Sequence, residues 1–367
     1  KEGNIWYFGQ NAGLDFNSGI PLALTNGQLV TQEGCASIAD NNGDLLFYTD
    51  GMTVYNKNHT IMPNGTGLLG NNSSTQSAII VKKPSSANIY YIFAVDGHTG
   101  LSGGLSYSEV DMTLNGGFGD VNTNKNLLLI SQTSEKVTAI LHQNGSDFWV
   151  ISRVRDSNQY NSYLLTPTGV NNVPVITNIG PSYPSTIGYM KGSPDGSRIA
   201  VANYNITVDL FDFDNSTGIL SNQTSIALPT STYGVEFSSS GSFLYCNGSD
   251  LYQIDLTNNA VFSFGSSQFS GVDALQLGPD NKIYVAEYFS NTLGVINSPD
   301  ILGNASNYVQ SAVNLSSGIS RLGLPTFFSS IFNSSPAGCD SVATAIRDIK
   351  NSSSTYTQVS QCDSFTW

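Results

Sequence analysis

Charged residues are scarce in this chain. Asp, Glu, Lys and Arg make up 11% of it, against about a quarter in an ordinary globular protein. Basic residues are the scarcest, 14 Lys and Arg against 27 Asp and Glu, for a net charge of −13. No basic stripe is available to neutralise phosphates, which argues against nucleic-acid binding, and an anionic membrane surface would repel the chain. Long apolar runs are also missing. Runs such as Leu127–Ile130 are strand-sized, far short of the roughly 20 residues of a membrane helix, so no membrane insertion is expected. No apolar leader precedes Lys1, as in a mature form left after signal-peptide cleavage. Cysteine and histidine are few, four and three. Cys35, Cys246, Cys339 and Cys362 show no CxxC or Cys/His spacing, which argues against zinc. Cys35 and Cys246 read as free, buried thiols acting as small apolar residues.

What is abundant is Asn, Ser, Thr, Gln and Gly, which implies a neutral surface dense in hydrogen-bonding groups and suits an extracellular protein. Helical periodicity is nearly absent before residue 340. Instead, alternating β-branched and aromatic runs recur, each pair broken by a turn cluster: "CASIADNNGDLLFYTDG" from Cys35, "SAIIVKKPSSANIYYIFAVDG" from Ser77, "KVTAILHQNGSDFWVISR" from Lys136. "GYMKGSPDGSRIAVAN" from Gly188, "YGVEFSSSGSFLYCNG" from Tyr233 and "VDALQLGPDNKIYVAE" from Val272 continue the series. Each is a strand, a turn rich in Gly, Pro, Asp and Asn, and a second strand. A third strand often follows, as in "TVDLFDFDNSTGIL". Starts near 35, 77, 136, 188, 233 and 272 are 42, 59, 52, 45 and 39 residues apart. A four-stranded unit every 40–50 residues or so indicates an all-β protein, a β-propeller. A pair of β-sandwiches also gives many short strands, but sandwich strands need not resemble one another.

The two ends of the series are incomplete. "NIWYFG" at the N-terminus resembles a second strand without a first, and "SRLGLPTFFSSIF" at Ser320–Phe332 a first strand without a second. Joined, they complete a composite blade and remove the open edge of the ring. Trp6, Tyr7, Phe8, Leu324 and Phe327 are then core residues of the closing blade, and the total is about seven blades over residues 1–332.

No catalytic constellation emerges. His59, His98 and His142 lie in loops or at a strand end and lack a motif such as HExxH. Glu33, Asp50, Asp96, Glu135, Glu236, Asp273 and Glu287 fall at strand ends or turns. Two of them brought together in space could hydrolyse a glycoside; capping and turn hydrogen bonds account for most. "DNNGD" at Asp40–Asp44 has an echo of a calcium loop but lacks its further oxygen ligands and reads as a hairpin turn. Calcium is therefore unsupported, no other cofactor is expected, and any metal is unknown. Extra length is concentrated in Asn56–Gln76 and Gly97–Lys125, which should lie together on the rim of the ring. These segments offer His59, Asn64, His98, Tyr107 and Asn115 to an uncharged sugar, or they merely cover blade edges.

From Asn333 the composition shifts to Ser and Thr, and Cys-Asp-Ser occurs twice, at Cys339 and Cys362. The chain stops at Trp367 in what reads as mid-strand, so residues 333–367 are expected to be a linker and the truncated start of a stalk repeat. "NIWYFGQNAGLDFNSG", "EGCASIADNNGDLLFYTDGMTVYN", "MPNGTGLLGNNSSTQSAIIV", "GYMKGSPDG", "YGVEFS" and "GLPTFF" closely resemble the N-terminal propeller of large Bacteroidota surface proteins. "QCDSFTW" is similar to the Cys-Asp-Ser repeats that follow such propellers. The resemblance implies export by the type IX secretion system, a place at the outer surface of the cell, and in some members giant adhesins of gliding motility. It implies secretion components as partners and carries over no ligand-binding residue. The expected function is a non-enzymatic adhesin module gripping surface glycan or protein. The alternatives are a secreted propeller hydrolase of polysaccharide and a scaffold for secretion or assembly.

In an exported chain Cys339 and Cys362 should be oxidised, to each other or to cysteines of neighbouring repeats. An internal bridge would close 22 intervening residues and stabilise the tail by about 3 kcal/mol in the entropic account. Mass mapping of non-reduced peptides from the exported protein should find both cysteines in disulfides; two free thiols would refute either pairing.

Overall fold

In the computed structural model, residues 1–97, 104–229, 231–265 and 273–332 are described; His98, Cys339, Cys362 and the expected stalk segment lie outside them. The described chain forms seven antiparallel sheets arranged as a β-propeller. Six follow the hairpin series in order. The first blade is Ala36–Ala39, Leu45–Thr49, Thr53–Asn56 and Ile61–Thr66, each strand paired with the next. The second and third carry two short outer pieces instead of one outer strand, both paired to the third strand. The fourth to sixth are plain four-stranded meanders.

The sequence pattern of each blade follows from its place along the radius. Inner strands such as Ala78–Lys82 and Leu275–Leu277 are buried on both faces and largely apolar, with Gln276 a buried polar exception. Outer strands such as Ala260–Ser263 and Tyr308–Asn314 are mostly exposed and mix apolar with polar residues. Two stretches expected as loops contain strands. Asn56–Gln76 includes the outer strand Ile61–Thr66, and Gly97–Lys125 includes Leu105–Asp111, the third strand of the second blade. Pro63 and Gly65 disguise the first, and Pro is tolerated because the strand is an edge.

The starts of successive inner strands are joined around the axis by backbone hydrogen bonds, and between the fifth and sixth blades by the Asn247 side-chain amide, which donates to the Asp273 carbonyl. Gly34 donates to Ser74 (3.0 Å), Gln76 to Glu135 (3.2 Å), Glu135 to Thr186 (3.1 Å) and Tyr189 to Tyr233 (2.8 Å). Beyond the sixth blade the relay passes through the C-terminal segment, with Ala274 donating to Leu322 (2.8 Å) and Leu322 to Gln32 (3.0 Å).

The closing blade is composite, with one difference from expectation. Its ladder strands are Ile5–Phe8, Ala12–Asp15 and Leu22–Leu24, all N-terminal. The C-terminal chain joins them through reciprocal bonds between Gln10 and Ile319 (2.9 and 3.0 Å). Residues 320–332 then lie in the inner position without forming a ladder strand. Pro325 makes a single parallel bridge to Cys35, and Ser329–Phe332 turns into a 3-10 helix. Pro325 has no N–H to donate. Gly323 also lies so close to the first blade that a Cβ would stand 1.9 Å from the Glu33 carbonyl oxygen. The segment is therefore held against the first blade rather than along Ile5–Phe8.

Trp6, Tyr7 and Phe8 are buried, as are Leu324 and Phe327. The Trp6 ring packs against Phe16 (4.9 Å), Tyr284 (5.4 Å) and Phe327 (5.8 Å), which ties the closing blade to the sixth and to the C-terminal segment. Its indole N–H donates to the Gly3 carbonyl at 2.9 Å. Cys35 and Cys246 are buried and free.

Trp6→Ala should lower stability by roughly 3–5 kcal/mol, the cost of emptying a buried indole site. Removing residues 1–9 should cost more, because it also strips the inner ladder strand of the closing blade. Denaturant melts of the three proteins check this; a truncated chain as stable as the intact one would refute closure by the termini.

Candidate functional site

In an up-and-down meander the first strand starts and the second strand ends at the same end of the ring. The polar residues at the starts of the inner strands therefore gather there around the axis. Glu135 accepts from the Thr75 N–H (3.0 Å) and hydroxyl (2.9 Å). Gln76 bonds both backbone groups of Met190, at 3.1 and 2.7 Å. The Lys136 ammonium donates to the carbonyls of Thr186 (3.0 Å), Ile187 and Gly188 (2.7 Å). Burial, and then the nearby Arg153 charge, hold the Lys136 pKa well below the usual lysine value. Deeper along the strands, Lys191 is bonded to Glu236 (2.8 Å) and Gln276.

Two carboxyls in this region are strongly perturbed. Glu33 accepts from the Tyr233 hydroxyl at 3.1 Å. Burial and the negative charge of Glu135 push it up from 4.5 to about 7. Asp273 rises from 3.8 to about 8, through burial and then the charge of Glu287, and its Oδ1 has no hydrogen-bond partner among the described residues. Among those residues no three His, Cys, Asp or Glu side chains converge as metal ligands.

The rim segments singled out from sequence do meet, and their polar groups fasten two blades together. Asn64 donates its backbone and side-chain N–H groups to the Asp120 carboxylate, both at 2.8 Å. Lys125 donates to the Asn64 and Thr66 carbonyls. Asn115 opens the 3-10 turn Asn115–Gly117, and Phe118 after it lies under the Lys57 ammonium. Tyr107 is half-buried against Tyr91 and Phe93. His59 goes elsewhere, to Tyr48 and Asn26 beside Tyr7, where burial lowers its pKa. A cleft of about 250 Å³ between the third and fourth blades is lined by His142, Pro194, Asp195 and Asn215. Its polar groups are engaged locally, Asp195 by Ser193 (2.6 Å) and Ser197 and His142 by Asn144.

Sequence reading missed a different feature at the axial end. Tight turns there join the second and third strands of the first blade and of the third to sixth. The left-handed position is filled by Gly51 (φ 84°) in the first blade, Asp156 (52°) in the third and Asn205 (63°) in the fourth, all residues that tolerate it. In the sixth blade it is Phe289, at φ 58°. The turn is closed by Ser290 N–H to the Glu287 carbonyl (3.1 Å) and anchored by Phe289 N–H to the Ser320 carbonyl (3.0 Å). A bulky residue in this conformation costs about 1–3 kcal/mol. Phe289 is nevertheless 60% exposed and Tyr288 46%, their rings 4.5 Å apart and nearly perpendicular. The Arg321 guanidinium lies 3.7 Å from the Phe289 ring centre and donates to Gln10 at 2.8 Å. The signal available in the sequence was "EYFSN", with Phe289 where the sister turns carry Gly51, Asp156 or Asn205; Tyr288 has an aromatic counterpart in Tyr204 of the fourth blade.

No protein-family model and no curated protein matches the chain. Solved structures do. One is a protein of Bacteroides uniformis assigned as a 6-phosphogluconolactonase, at 11% identity and TM-score 0.50, over 83% of this chain and 93% of that one. Another is virginiamycin B lyase from Staphylococcus aureus, at 12% identity and TM-score 0.45, over 80% and 88%. A third is a functionally unknown protein from Desulfotomaculum acetoxidans, at 13% identity and TM-score 0.48, over 88% and 99%. At 11% identity the likeness to the first extends to the fold alone, a β-propeller.

Proposed function

We propose that the protein is a non-enzymatic binding module of a large secreted surface adhesin, gripping glycan or protein outside the cell, with the type IX export and gliding link that its motifs imply. The observation that carries this reading is the state of the axis. Glu135, Gln76, Lys136, Lys191 and Glu236 are bonded to one another's strands and side chains, so the inner polar groups serve to hold the ring. Recognition then falls to the loops of a rigid scaffold. One observation favours polysaccharide hydrolysis instead: Glu33, protonated near neutrality, feels the Glu135 charge, and an acid beside a carboxylate is the pairing that glycosidases use. Incubating the purified chain with intact cells and with a polysaccharide panel tests both. Retention on cells or polysaccharide without new reducing ends is expected; release of reducing ends would overturn the binding reading.

If Glu33 and Asp273 act only in packing, their protonation should appear as stability. A carboxyl whose pKa is raised by folding binds its proton more tightly in the native state. Its contribution is complete below the unfolded values of 4.5 and 3.8 and is lost as pH rises through about 7 for Glu33 and about 8 for Asp273. The melting temperature should therefore fall between about pH 5 and 8, and Glu33→Gln with Asp273→Asn should flatten that slope while leaving cell binding unchanged. A slope of the same size in the double variant would refute the assignment.

A further inference from the structure

We infer that the turn Glu287–Ser290, with Gln10 and Arg321 beside it, is a carbohydrate-binding shelf on which Tyr288 and Phe289 stack against a neutral pyranose ring. This rests on the binding-module reading and assigns it a place and a ligand class.

The internal repeat supplies the main argument. Sister turns of the same ring put Gly51, Asp156 and Asn205 where the sixth blade puts Phe289. A structural turn is satisfied by those residues, so the fold itself has no use for a phenyl ring there. The ring is not hidden as compensation, since it remains 60% exposed. The strained backbone projects it into solvent beside a second exposed aromatic, Tyr288. Two further contacts hold it in place: the Phe289 N–H bond to Ser320 and the Arg321 guanidinium on its face. Gln10 in turn fixes Arg321.

The chemistry of the surroundings selects the ligand. Arg321 is the cation at the shelf, and its charge is delocalised against the ring. Glu287 is the neighbouring anion, and its oxygens accept from the Ser311 N–H (2.7 Å), the Ser311 hydroxyl (3.1 Å) and Thr292. Glu287 presents no open ion-pairing site; Arg321 is bonded to Gln10 through Nη2, and its Nη1 is buried with no hydrogen-bond partner among the described residues. The remaining polar neighbours, Gln10, Ser290 and Asn291, are uncharged donors and acceptors. An aromatic face rimmed by neutral hydrogen-bonding groups matches a pyranose, which is apolar across its C–H face and hydroxylated around its edge. Two rings are also small against the several hundred Å² of an apolar protein-docking patch.

The test is affinity gel electrophoresis of the whole chain in gels containing dextran, starch, xylan or galactomannan, beside retention on cells. Wild type should be retarded by at least one polysaccharide. Tyr288→Ala and Phe289→Asn should each weaken that retardation by about tenfold. Because Asn suits the left-handed position, Phe289→Asn should melt no lower than wild type. Retardation of Phe289→Asn equal to wild type, or no retardation of wild type in any gel, would overturn the shelf; retention on cells under either result would leave the binding-module reading standing. Loss of cell retention in wild type would remove that reading as well. A marked drop in melting temperature for Phe289→Asn would show a structural role for the ring, and wild-type binding to phosphatidylcholine vesicles instead of polysaccharide a lipid contact; either would overturn the proposal.

Discussion

A ring of sheets holds together only if its last sheet meets its first. In this molecule that condition is met by hydrogen bonds, all but the Asn247 side-chain link to Asp273 between backbone groups, that relay from one inner strand to the next and pass through Leu322 on the way back to Gln32. Without the C-terminal segment, the inner edges of the sixth and first blades would face each other across an unfilled position. The aromatic investment at the two ends of the chain follows from this. Trp6, Phe16, Tyr284 and Phe327 converge from both termini and the sixth blade, so apolar burial and strand pairing reinforce each other where the circle shuts.

The same geometry governs the polar groups. Converging inner strands force side chains near the axis into a space with little water, where an unpaired charge is expensive. The chain answers in two ways. Lys136 and Lys191 are surrounded by carbonyls or paired with carboxylate and amide. Glu33 and Asp273 hold protons into the neutral range. The outcome is a core whose polarity is largely internal, which turns attention to what the loops project outward.

There the turns are informative because the fold repeats. Sister turns act as controls for one another, and a departure in one stands out against the rest. Phe289 breaks the local backbone preference that Gly51, Asp156 and Asn205 obey. Strain held in place by the surrounding structure is commonly found where a surface has a task.

Much of the architecture was legible in the sequence. Hairpin spacing, alternating strands and turn residues are local properties, set by side-chain period and allowed dihedrals, and they implied a propeller of about seven blades with Trp6–Phe8 in a composite one. Outer strands such as Ile61–Thr66 were hidden because an exposed edge strand has no apolar face to betray it. The C-terminal segment read as a strand because its apolar residues suit one; Pro325 and the close approach of Gly323 to Glu33 turned it into a bridge. The meeting of Glu33 with Tyr233, 200 positions away in sequence, and the exposure of Tyr288 and Phe289 were decided by the closed ring alone. Local sequence determines which residues can form strands and turns; only the tertiary structure determines which side chains share an axis and which are left facing water.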